Sequence, residues 1–400
     1  MKTDLTSRLR RLAAALTPQL SDWRRQIHMQ PEASMQEHDT AAFVVARLRE
    51  IGAEDIRTGV GETGVTALIR GKGRKTVGLR ADMDALELQE KNPVPYRSRR
   101  PGMMHACGHD GHVAGLLGVA ALLQQVREEI PGQVKLVFQP GEEGAGGAAR
   151  MIADGVLENP KVSAMAALHV STDFPAGRIG VGRGYATAQV DDVYMTIVGK
   201  SGHAARPDGG VDAIAVASQA LIAIQQFIGR HTNAMDRKLL TIGVIHGGTR
   251  HNILADAVEL IGTVRTLEPE GREKVLNFVT KDLRKLVGAM GAGLKVRIEH
   301  GYPPSINDDR VADIFEAAGR DLLGAEGVMP RDRAVLGGED FAYFGRTGIP
   351  AAMLDLGIYD EAKGFTAPGH NSRFDFDDRQ VLPIGAALLA DSAIRMLREL

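Results

Sequence analysis

The sequence has a single cysteine, few aromatic residues and almost no net charge. One cysteine excludes an internal disulfide and fits a reducing, cytoplasmic location. Because the 48 basic residues nearly balance the 50 acidic ones, there is no excess of charge of one sign that would indicate binding to nucleic acid or to a membrane surface. Aromatic residues, at 4%, leave few rings on which bases could stack. These shortages argue against a nucleic-acid-binding protein.

Long hydrophobic runs are also missing. No apolar run approaches the ~18 residues expected of a membrane span. The charged N-terminus is followed only by the short apolar stretch Leu12–Leu16, which indicates the start of an amphipathic helix rather than a signal peptide. The length of 400 residues and the hydrophobic content of 44% are typical of a globular protein with two domains.

The cysteine itself lies in an unusual segment, Met-Met-His-Ala-Cys-Gly-His-Asp-Gly-His at residues 103–112. Cys107 is accompanied by His105, His109 and His112, a composition typical of metal ligands. A helix predicted just after this segment would lower the pKa of the thiol and favour the thiolate that binds metals. Alone, Cys107 would more commonly be an inert buried residue. The neighbouring histidines reverse that preference.

The first 185 residues alternate between strands and helices, which predicts a largely parallel α/β sheet. The predicted strands are Thr63–Arg70, Thr76–Ala81, Gln133–Gln139 and Ser163–Val170, and the predicted helices are 40–51, 112–126 and 146–154. Asp82 and Asp84, the pair Glu142 and Glu143, and His169 each lie at a strand end. Each alone is compatible with a turn or a solvated loop. Together with the Cys107 segment they predict one ligand site at the carboxyl edge of the sheet.

Residues 187–302 follow a different pattern, with four predicted strands and two long helices. The strands are Val190–Val198, Leu239–Ile245, Ala257–Arg265 and Leu294–Glu299, and the helices are Val211–Ile228 and Glu270–Met290. The α/β pattern resumes after Tyr302. We therefore predict an α+β domain at 187–302, inserted into a domain formed by 1–186 and 303–400.

Several other functions lack their minimum motifs. Gly199-Lys200-Ser201 resembles the end of a phosphate-binding loop, but position 194 is tyrosine where that loop needs glycine. The chain has no His-Glu-x-x-His helix and no Gly-x-Ser-x-Gly elbow. A thiol redox protein centred on Cys107 would need a resolving cysteine.

In its motifs, and in their order along the sequence, the chain resembles the metal-dependent amidohydrolase family of aminoacylases and carboxypeptidases. That family includes hydrolases of hippurate, indole-3-acetyl amino acids and aminobenzoyl-glutamate, and N-acetyl-diaminopimelate deacetylases. The resemblance covers essentially the whole chain. The matching segments are Arg24-Arg25, His28, Pro31-Glu32, Leu79–Leu86, Met104–Asp110, Gln139–Gly144, Leu168-His169, Gly202–Ala205, Gly262–Thr266, Gly338–Phe341, Gly369–Asn371 and Asp375–Asp377.

The resemblance implies a catalytic α/β domain with helices on both faces of a mostly parallel sheet, and an inserted lid domain that mediates dimerisation. It implies a two-metal site in which the Cys107 thiolate bridges the ions. The implied ligands are Cys107, His109, Glu143, His169 and His370. Glu142 matches the catalytic glutamate. Neighbouring side chains point in different directions, so Glu143 can bind metal while Glu142 acts on water. Asp84 matches an acid that orients an imidazole from behind the ligands.

On the lid, the resemblance implies that His203 stabilises the oxyanion, in many relatives across the dimer. Asn252 and Arg265 match positions that bind the carboxylate of the substrate, and an arginine fork holds a carboxylate bidentately. The alternatives are a surface histidine for His203 and a structural ion pair for Arg265.

The sequence thus predicts a metal-dependent hydrolase that cleaves the amide bond of N-acyl or N-aroyl amino acids. A dipeptide carboxypeptidase and a catalytically silent relative are the alternatives, although the intact ligand set disfavours the second. Manganese and zinc are the expected metals, and cobalt and nickel also suit sulfur, nitrogen and oxygen donors. The sequence departs from the family at Pro207-Asp208, Ala255 and Gly141, where proline-histidine, proline and alanine are usual.

Overall fold

The computed structural model describes residues 2–233 and 235–400. Its α-helices are α1 Lys2–Ala15, α2 Thr17–His28, α3 His38–Ile51, α4 His109–Gln125, α5 Gly147–Ala153, α6 Ala213–Arg230, α7 Pro269–Asn277, α8 Leu283–Ala289, α9 Asp309–Leu323, α10 Ala342–Arg346 and α11 Asp378–Glu399. Its strands are β1 Glu54–Val60, β2 Gly64–Arg70, β3 Thr76–Asp82, β4 Gln133–Gln139, β5 Val162–Pro175, β6 Ile179–Val181, β7 Gly184–Thr187, β8 Gln189–Val198, β9 Gly202–His203, β10 Lys238–Gly247, β11 Ile253–Leu254, β12 Ala257–Thr266, β13 Gly293–His300, β14 Ser305–Asn307, β15 Val328–Pro330 and β16 Ala351–Tyr359.

The chain divides into two compact units. The first combines the chain up to Ala186 with Ile306–Arg333 and Asp340–Leu400, and the second consists of Thr187–Ser305 and Ala334–Glu339. The predicted insertion at 187–302 lies within the second unit. This unit also takes in Ala334–Glu339, where the carbonyl of Gly337 accepts a hydrogen bond from the amide of Ala188 at 3.0 Å.

The first unit is built on an eight-stranded sheet with the order β1-β2-β4-β3-β5-β16-β6-β15. The four central strands β4, β3, β5 and β16 run parallel to one another. Strands β1 and β2 add to one side as an antiparallel hairpin, and β2 is antiparallel to β4. The predicted, mostly parallel α/β sheet is therefore confirmed.

Both faces of this sheet are buried, as its apolar strands require. All seven residues of β4 are buried. Leu136 and Phe138 belong to the core that α4 and α11 cover, whereas Val137 packs on the other face with residues of α5 and α10. Helices thus lie on both faces, and the loops that carry polar residues remain at the strand ends.

The second unit has a four-stranded antiparallel sheet with the order β10-β12-β8-β13. Helices α6, α7 and α8 contribute to its core. The predicted single helix at Glu270–Met290 is instead α7 and α8, separated by one π-helical segment at Phe278–Asp282. There the ring of Phe278 stacks on Phe227 of α6 at 4.0 Å, a contact between elements that the local sequence does not reveal.

Two helices, α6 and α11, are long and apolar enough to pass a composition test for membrane spans. In α11, 89% of the apolar window is buried inside the protein, as in the core helix of a globular domain. In α6 the buried residues Ala213, Val216, Ala217, Ala220 and Ile224 recur at helical spacing, and they belong to the core over the sheet of the second unit. Core packing therefore accounts for the buried face of each helix.

A buried charge network lies behind the segment that carries Cys107. The side chain of Arg24 is fully buried, and its guanidinium bonds Asp110 at 3.0 Å and Asp375 at 2.7 Å while stacking on Phe376 at 3.8 Å. Removing one partner of such a network leaves an unpaired buried charge, which typically costs about 3–5 kcal/mol. Arg24 thereby ties α2 to the first turn of α4 and to the chain preceding α11.

His28 extends this network and makes its stability depend on pH. Its ring nitrogens lie 2.8 Å from Asp110 and 3.2 Å from Glu90. Burial alone would lower the pKa of His28, but the two carboxylates raise it to about 9. Because the folded pKa exceeds the unfolded value of about 6.5, the stabilisation is complete below about pH 6.5 and is lost as pH rises through 9.

We therefore expect the free energy of unfolding to fall between pH 6.5 and 9, with His28 contributing at most about 1.4 kcal/mol per pH unit. His28→Gln should flatten this slope, because glutamine does not titrate. Urea unfolding of both proteins at several pH values measures the difference. Equal slopes in the two proteins would show that His28 is not protonated in the folded state.

Candidate metal centre

Six polar side chains converge at the carboxyl edge of the parallel strands. They are Cys107, His109, Glu142, Glu143, His169 and His370. Ligand atoms of Cys107, His109 and His169 lie within 4.8 Å of one another, and so do those of Cys107, Glu143 and His370. The Cys107 sulfur is thus common to two groups of three potential ligands. The structure brings together all five side chains that were predicted to bind metal.

The loop that presents Cys107 depends on Gly108. This residue caps α4 with a φ of 90°, a conformation that favours glycine. A Cβ atom at this position would lie 2.3 Å from Cγ2 of Val170, the residue that follows His169 on β5. The close approach places Cys107 beside His169 and starts α4 at His109. A larger residue would push the two segments apart.

The surroundings of Cys107 favour the thiolate. Burial raises the pKa of the thiol, but His169 and His109 outweigh this effect and lower it to about 6. From the sequence alone, a lowered pKa of the Cys107 thiol is attributed to the nearby start of a helix. In the structure the neighbouring imidazoles supply much of the effect.

Hydrogen bonds to backbone carbonyls set the tautomers of two histidines. Nδ1 of His109 lies 2.8 Å from the carbonyl oxygen of Asp84, and Nδ1 of His169 lies 2.7 Å from that of Val170. Because a carbonyl oxygen can only accept, each Nδ1 carries a proton, and Nε2 is the nitrogen left to bind a metal. Burial lowers the pKa of His109, but Asp82 and Cys107 outweigh this effect and raise it, so metal binding there would displace a proton from Nε2. Nε2 of His169 lies 3.5 Å from the Cys107 sulfur. Both imidazoles are therefore prepared to bind a metal through Nε2.

Two buried atoms of the cluster have only long contacts. Among the described residues, neither Nε2 of His109 nor Oε1 of Glu143 makes a well-formed hydrogen bond, and their ion-pair contacts, with Asp82 at 3.5 Å and with Nε2 of His370 at 3.3 Å, are long. Buried polar atoms are rarely left unsatisfied, and a bound ion can satisfy those that no protein atom reaches. Thiolate, imidazole and carboxylate donors together suit zinc, manganese, cobalt or nickel. The residues present thus fit divalent metal ions.

His370 reaches the cluster from an exposed loop in an uncommon backbone conformation. Its φ is 62°, which is rare for a residue other than glycine and is often found at functional sites. Its amide donates to the carbonyl of Ala106 at 2.8 Å, and its Nε2 lies 3.3 Å from Oε1 of Glu143. The proximity of Cys107 and Glu143 raises the pKa of His370 to about 10. The His370 ring is thereby held beside Cys107 and Glu143, the other members of its group of potential ligands.

Asp84 holds the backbone of the paired glutamates. Its carboxylate accepts hydrogen bonds from the amides of Glu142 at 3.1 Å and Glu143 at 2.9 Å, and from the hydroxyl of Ser34 at 2.5 Å. Burial raises the pKa of Asp84, but hydrogen bonds from His109 and Ser34 give a net lowering. The sequence predicted that Asp84 orients an imidazole. Its main-chain oxygen makes the shorter contact with His109, while its carboxylate mainly fixes the glutamate turn.

The departure from the family at Gly141 has a structural reason. Gly141 has a φ of 61°, and a Cβ atom there would lie 2.4 Å from the sulfur of Met35. An alanine would be strained and would displace Met35. Glycine at position 141 therefore leaves room for the side chain of Met35 beside the turn that carries Glu142 and Glu143.

His112 and Asp82 were among the polar residues from which the sequence predicts the site, but the implied ligand set does not include them; both lie beside the cluster. Nδ1 of His112 is 2.5 Å from Asp82, and Nε2 of His112 accepts the amide of Val170 at 3.0 Å. Burial lowers the pKa of His112 to about 4, so the ring is neutral. The sequence feature that could have indicated a role for His112 is its spacing from His109, because residues one helical turn apart lie on the same face of a helix.

The three predicted lid residues lie in the second unit. His203 on β9 pairs with Ile253 on β11, and the backbone oxygen of Asn252 accepts the amide of Ala204 at 3.2 Å. Nδ1 of His203 accepts the amide of Ala205 at 3.0 Å, which leaves Nε2 to carry the proton, and the residue is exposed.

Arg265 lies on β12 and is partly buried. It makes no ion pair among the residues that the structure describes, and burial lowers the pKa of its guanidinium. Asp192 attracts this guanidinium and partly offsets the lowering, so Asp192 is the partner that a structural ion pair would use. The binding of a carboxylate by Arg265 stays a prediction.

Comparison with known proteins links this geometry to one family. The model of peptidase family M20/M25/M40 matches residues 78–395. The chain is 36% identical over 394 residues to IAA-amino acid hydrolase ILR1-like 2 of Arabidopsis thaliana, covering 97% of this chain and 88% of that protein. It is 37% identical to thermostable carboxypeptidase 2 of Saccharolobus solfataricus, covering 94% and 96%. The YXEP protein of Bacillus subtilis, described as a dinuclear metal binding peptidase, superposes with a TM-score of 0.83 at 32% identity, over 96% of this chain and 99% of that one.

Proposed function

Because the chain belongs to peptidase family M20/M25/M40 as a metal-dependent amidohydrolase, we propose that it hydrolyses N-acyl or N-aroyl amino acids to a carboxylic acid and a free amino acid. The observation that carries this proposal is the cluster at the carboxyl edge of the sheet. There, Cys107 is shared by two groups of potential ligands, and Glu142 lies beside them.

Two divalent ions per subunit would be held by Cys107, His109, Glu143, His169 and His370. Ions bound there would polarise the amide carbonyl and lower the pKa of water. Support for a two-ion site comes from the shared sulfur and from the backbone bonds at Nδ1 of His109 and His169, which leave Nε2 of each ring for a metal. Manganese and zinc are the metals we expect, with cobalt and nickel also suited to these donors.

Glu142 would be the general base that takes a proton from water and returns it to the leaving amine. Ligand atoms of His109, Glu142 and Glu143 lie within 4.8 Å of one another, which puts the Glu142 carboxylate next to the metal ligands. Asp84 holds the amides of both glutamates, so the direction of each side chain is set by one turn. A general base needs this fixed position as much as it needs a suitable pKa.

His203, Asn252 and Arg265 would complete the site from the lid. With its proton on Nε2, His203 can donate a hydrogen bond to the oxygen that becomes negative as the amide is attacked. Arg265 and Asn252 would hold the carboxylate of the amino acid. Arg265 suits this role because its guanidinium is a planar fork of donors that can hold a carboxylate bidentately.

Arg265→Ala should therefore raise KM for N-acyl amino acids by about 10–100-fold, the loss of one charged hydrogen-bonded pair, while kcat changes little. Steady-state kinetics with an N-acyl amino acid and with its carboxamide, which lacks the negative charge, test this. The carboxamide should show the same KM in both proteins. An equal rise in KM for both substrates would assign Arg265 a structural role.

A homodimer, located in the cytoplasm, is part of this proposal. Strand β10 lies at the edge of the sheet in the second unit, and its Ile245 is 54% exposed. On α6, Ile214 and Ile222 are 50% and 58% exposed. An exposed edge strand and apolar helix residues are features that a second copy of the chain would cover.

A hydrolysis panel tests the function directly. Metal-stripped protein, reconstituted with manganese, zinc, cobalt or nickel, is assayed on acetyl, benzoyl, indole-acetyl and aminobenzoyl amino acids and on dipeptides. We expect metal-dependent release of free amino acid from N-acyl substrates. Hydrolysis confined to dipeptides would favour a carboxypeptidase, an alternative supported by the 37% identity to thermostable carboxypeptidase 2. No hydrolysis by a metallated protein would indicate a catalytically silent relative.

A further inference from the structure

We propose that His112 is a positioning residue that sets the separation of His109 and His169 by tying helix α4 to strand β5 at Val170. The inference rests on the proposed function, which makes both of those histidines metal ligands; their ligand atoms lie in one group with the Cys107 sulfur. His112 itself would touch neither metal nor substrate.

His112 lies between the two elements that carry these ligands. It follows His109 by one turn of α4, and its Nε2 accepts a hydrogen bond at 3.0 Å from the amide of Val170, next to His169 on β5. Its ring also contacts the ring of His169 edge to face, with 4.6 Å between centroids. His112 therefore connects helix and strand at the level of the ligands.

The hydrogen bonds of His112 leave it no capacity to bind a metal. The amide of Val170 can only donate, so it occupies the lone pair on Nε2. Nδ1 then carries the proton and donates to Asp82 at 2.5 Å. With both nitrogens used inside the protein, the ring acts as a spacer of defined length.

The far end of this spacer is anchored to the sheet. Asp82 ends β3 and is bonded by Arg80 at 2.7 Å. Arg80 in turn donates to Gln139, at the end of β4, at 2.9 Å, and to Asp340 at 3.1 Å. All four side chains are buried. A shift of His112 would disturb this network, so the helix and the strand are held in one arrangement.

Two substitutions separate the two hydrogen bonds of His112. His112→Gln can place an amide oxygen near the position of Nε2 and keep an acceptor for Val170. His112→Asn can keep a donor for Asp82 but loses the bond to Val170. The matched control is His28→Asn, which removes a buried imidazole bonded to Asp110 on the same helix without touching β5. Cobalt(II) titration of the metal-free proteins, followed by absorption, reports the affinity and geometry of each ion.

We expect wild type to bind two cobalt ions and His112→Asn to bind one of them about 10–100-fold more weakly, with a changed visible spectrum. His112→Gln should stay close to wild type in its spectrum, and His28→Asn should match wild type in both affinities. In His112→Asn, kcat should fall while KM is unchanged, because the substrate contacts remain.

Wild-type affinity and spectrum in His112→Asn would overturn the inference, as would an equal loss in His28→Asn. If His112→Asn does not fold, His112→Gln decides: a wild-type spectrum supports the inference, and loss of one cobalt ion overturns it. Failure of the proposed function is a separate result, visible in wild type alone as fewer than two bound cobalt ions or no hydrolysis of N-acyl amino acids.

Discussion

Replacing Glu142 with glutamine should reduce kcat by about 10²–10⁴-fold, the usual contribution of general acid–base catalysis, and should leave the metal content unchanged. Glutamine has the same shape but cannot accept a proton from water. The backbone bond from residue 142 to Asp84 is retained, so the turn keeps its position. Steady-state kinetics, with metal content measured by elemental analysis, give both quantities.

Glu143→Gln is the matched control, because it makes the same chemical change one residue along the same turn. We expect this variant to lose metal, since the Glu143 carboxylate lies within 4.8 Å of the ligand atoms of Cys107 and His370 and a neutral amide is a weaker ligand than a carboxylate. If Glu142→Gln remained nearly as active as wild type while Glu143→Gln stayed fully metallated, the roles of the two residues would be reversed.

Part of the arrangement could be predicted because polar residues follow strand ends. Glu142 and Glu143 follow β4, whereas the predicted strand end at His169 is wrong, because β5 continues to Pro175. Strands β3, β4 and β5 form the parallel centre of the sheet. Parallel strands deliver their carboxyl ends to one edge, so the order of strands and polar residues along the chain was sufficient. The boundaries of the second unit were harder to predict from the sequence, because Ala334–Glu339 joins this unit through contacts with residues distant in sequence.

The parts that sequence could not predict depend on distances between segments. Nothing local indicates that a Cβ at Gly108 would meet Val170, or that the carboxylate of Asp84 would accept the amides of both glutamates. The tautomers are also set by tertiary contacts, because the carbonyl that fixes His109 comes from residue 84. Motifs thus identify which side chains meet, whereas their protonation and spacing follow from the packing of α4 on the sheet.

His203 is expected to act in the site of the opposite subunit, and mixing two inactive variants tests this. Glu142→Gln lacks the general base, and His203→Ala lacks the oxyanion donor, whose loss typically costs about 10²–10³-fold in kcat. If His203 serves the partner, a mixed dimer combines one site carrying both lesions with one intact site. Random exchange of equal amounts in a symmetric dimer should then restore about one quarter of wild-type activity.

The control for this experiment is a mixture of Glu142→Gln with Cys107→Ser. Cys107 and Glu142 both belong to the first unit, so each site of that mixed dimer carries one lesion and activity should stay absent. Subunit exchange is monitored separately by attaching a different fluorophore to each variant. Recovery in the first mixture alone would assign His203 to the partner's site, through the proton that its Nε2 presents. Demonstrated exchange without recovery would place His203 in its own subunit's site or remove it from catalysis.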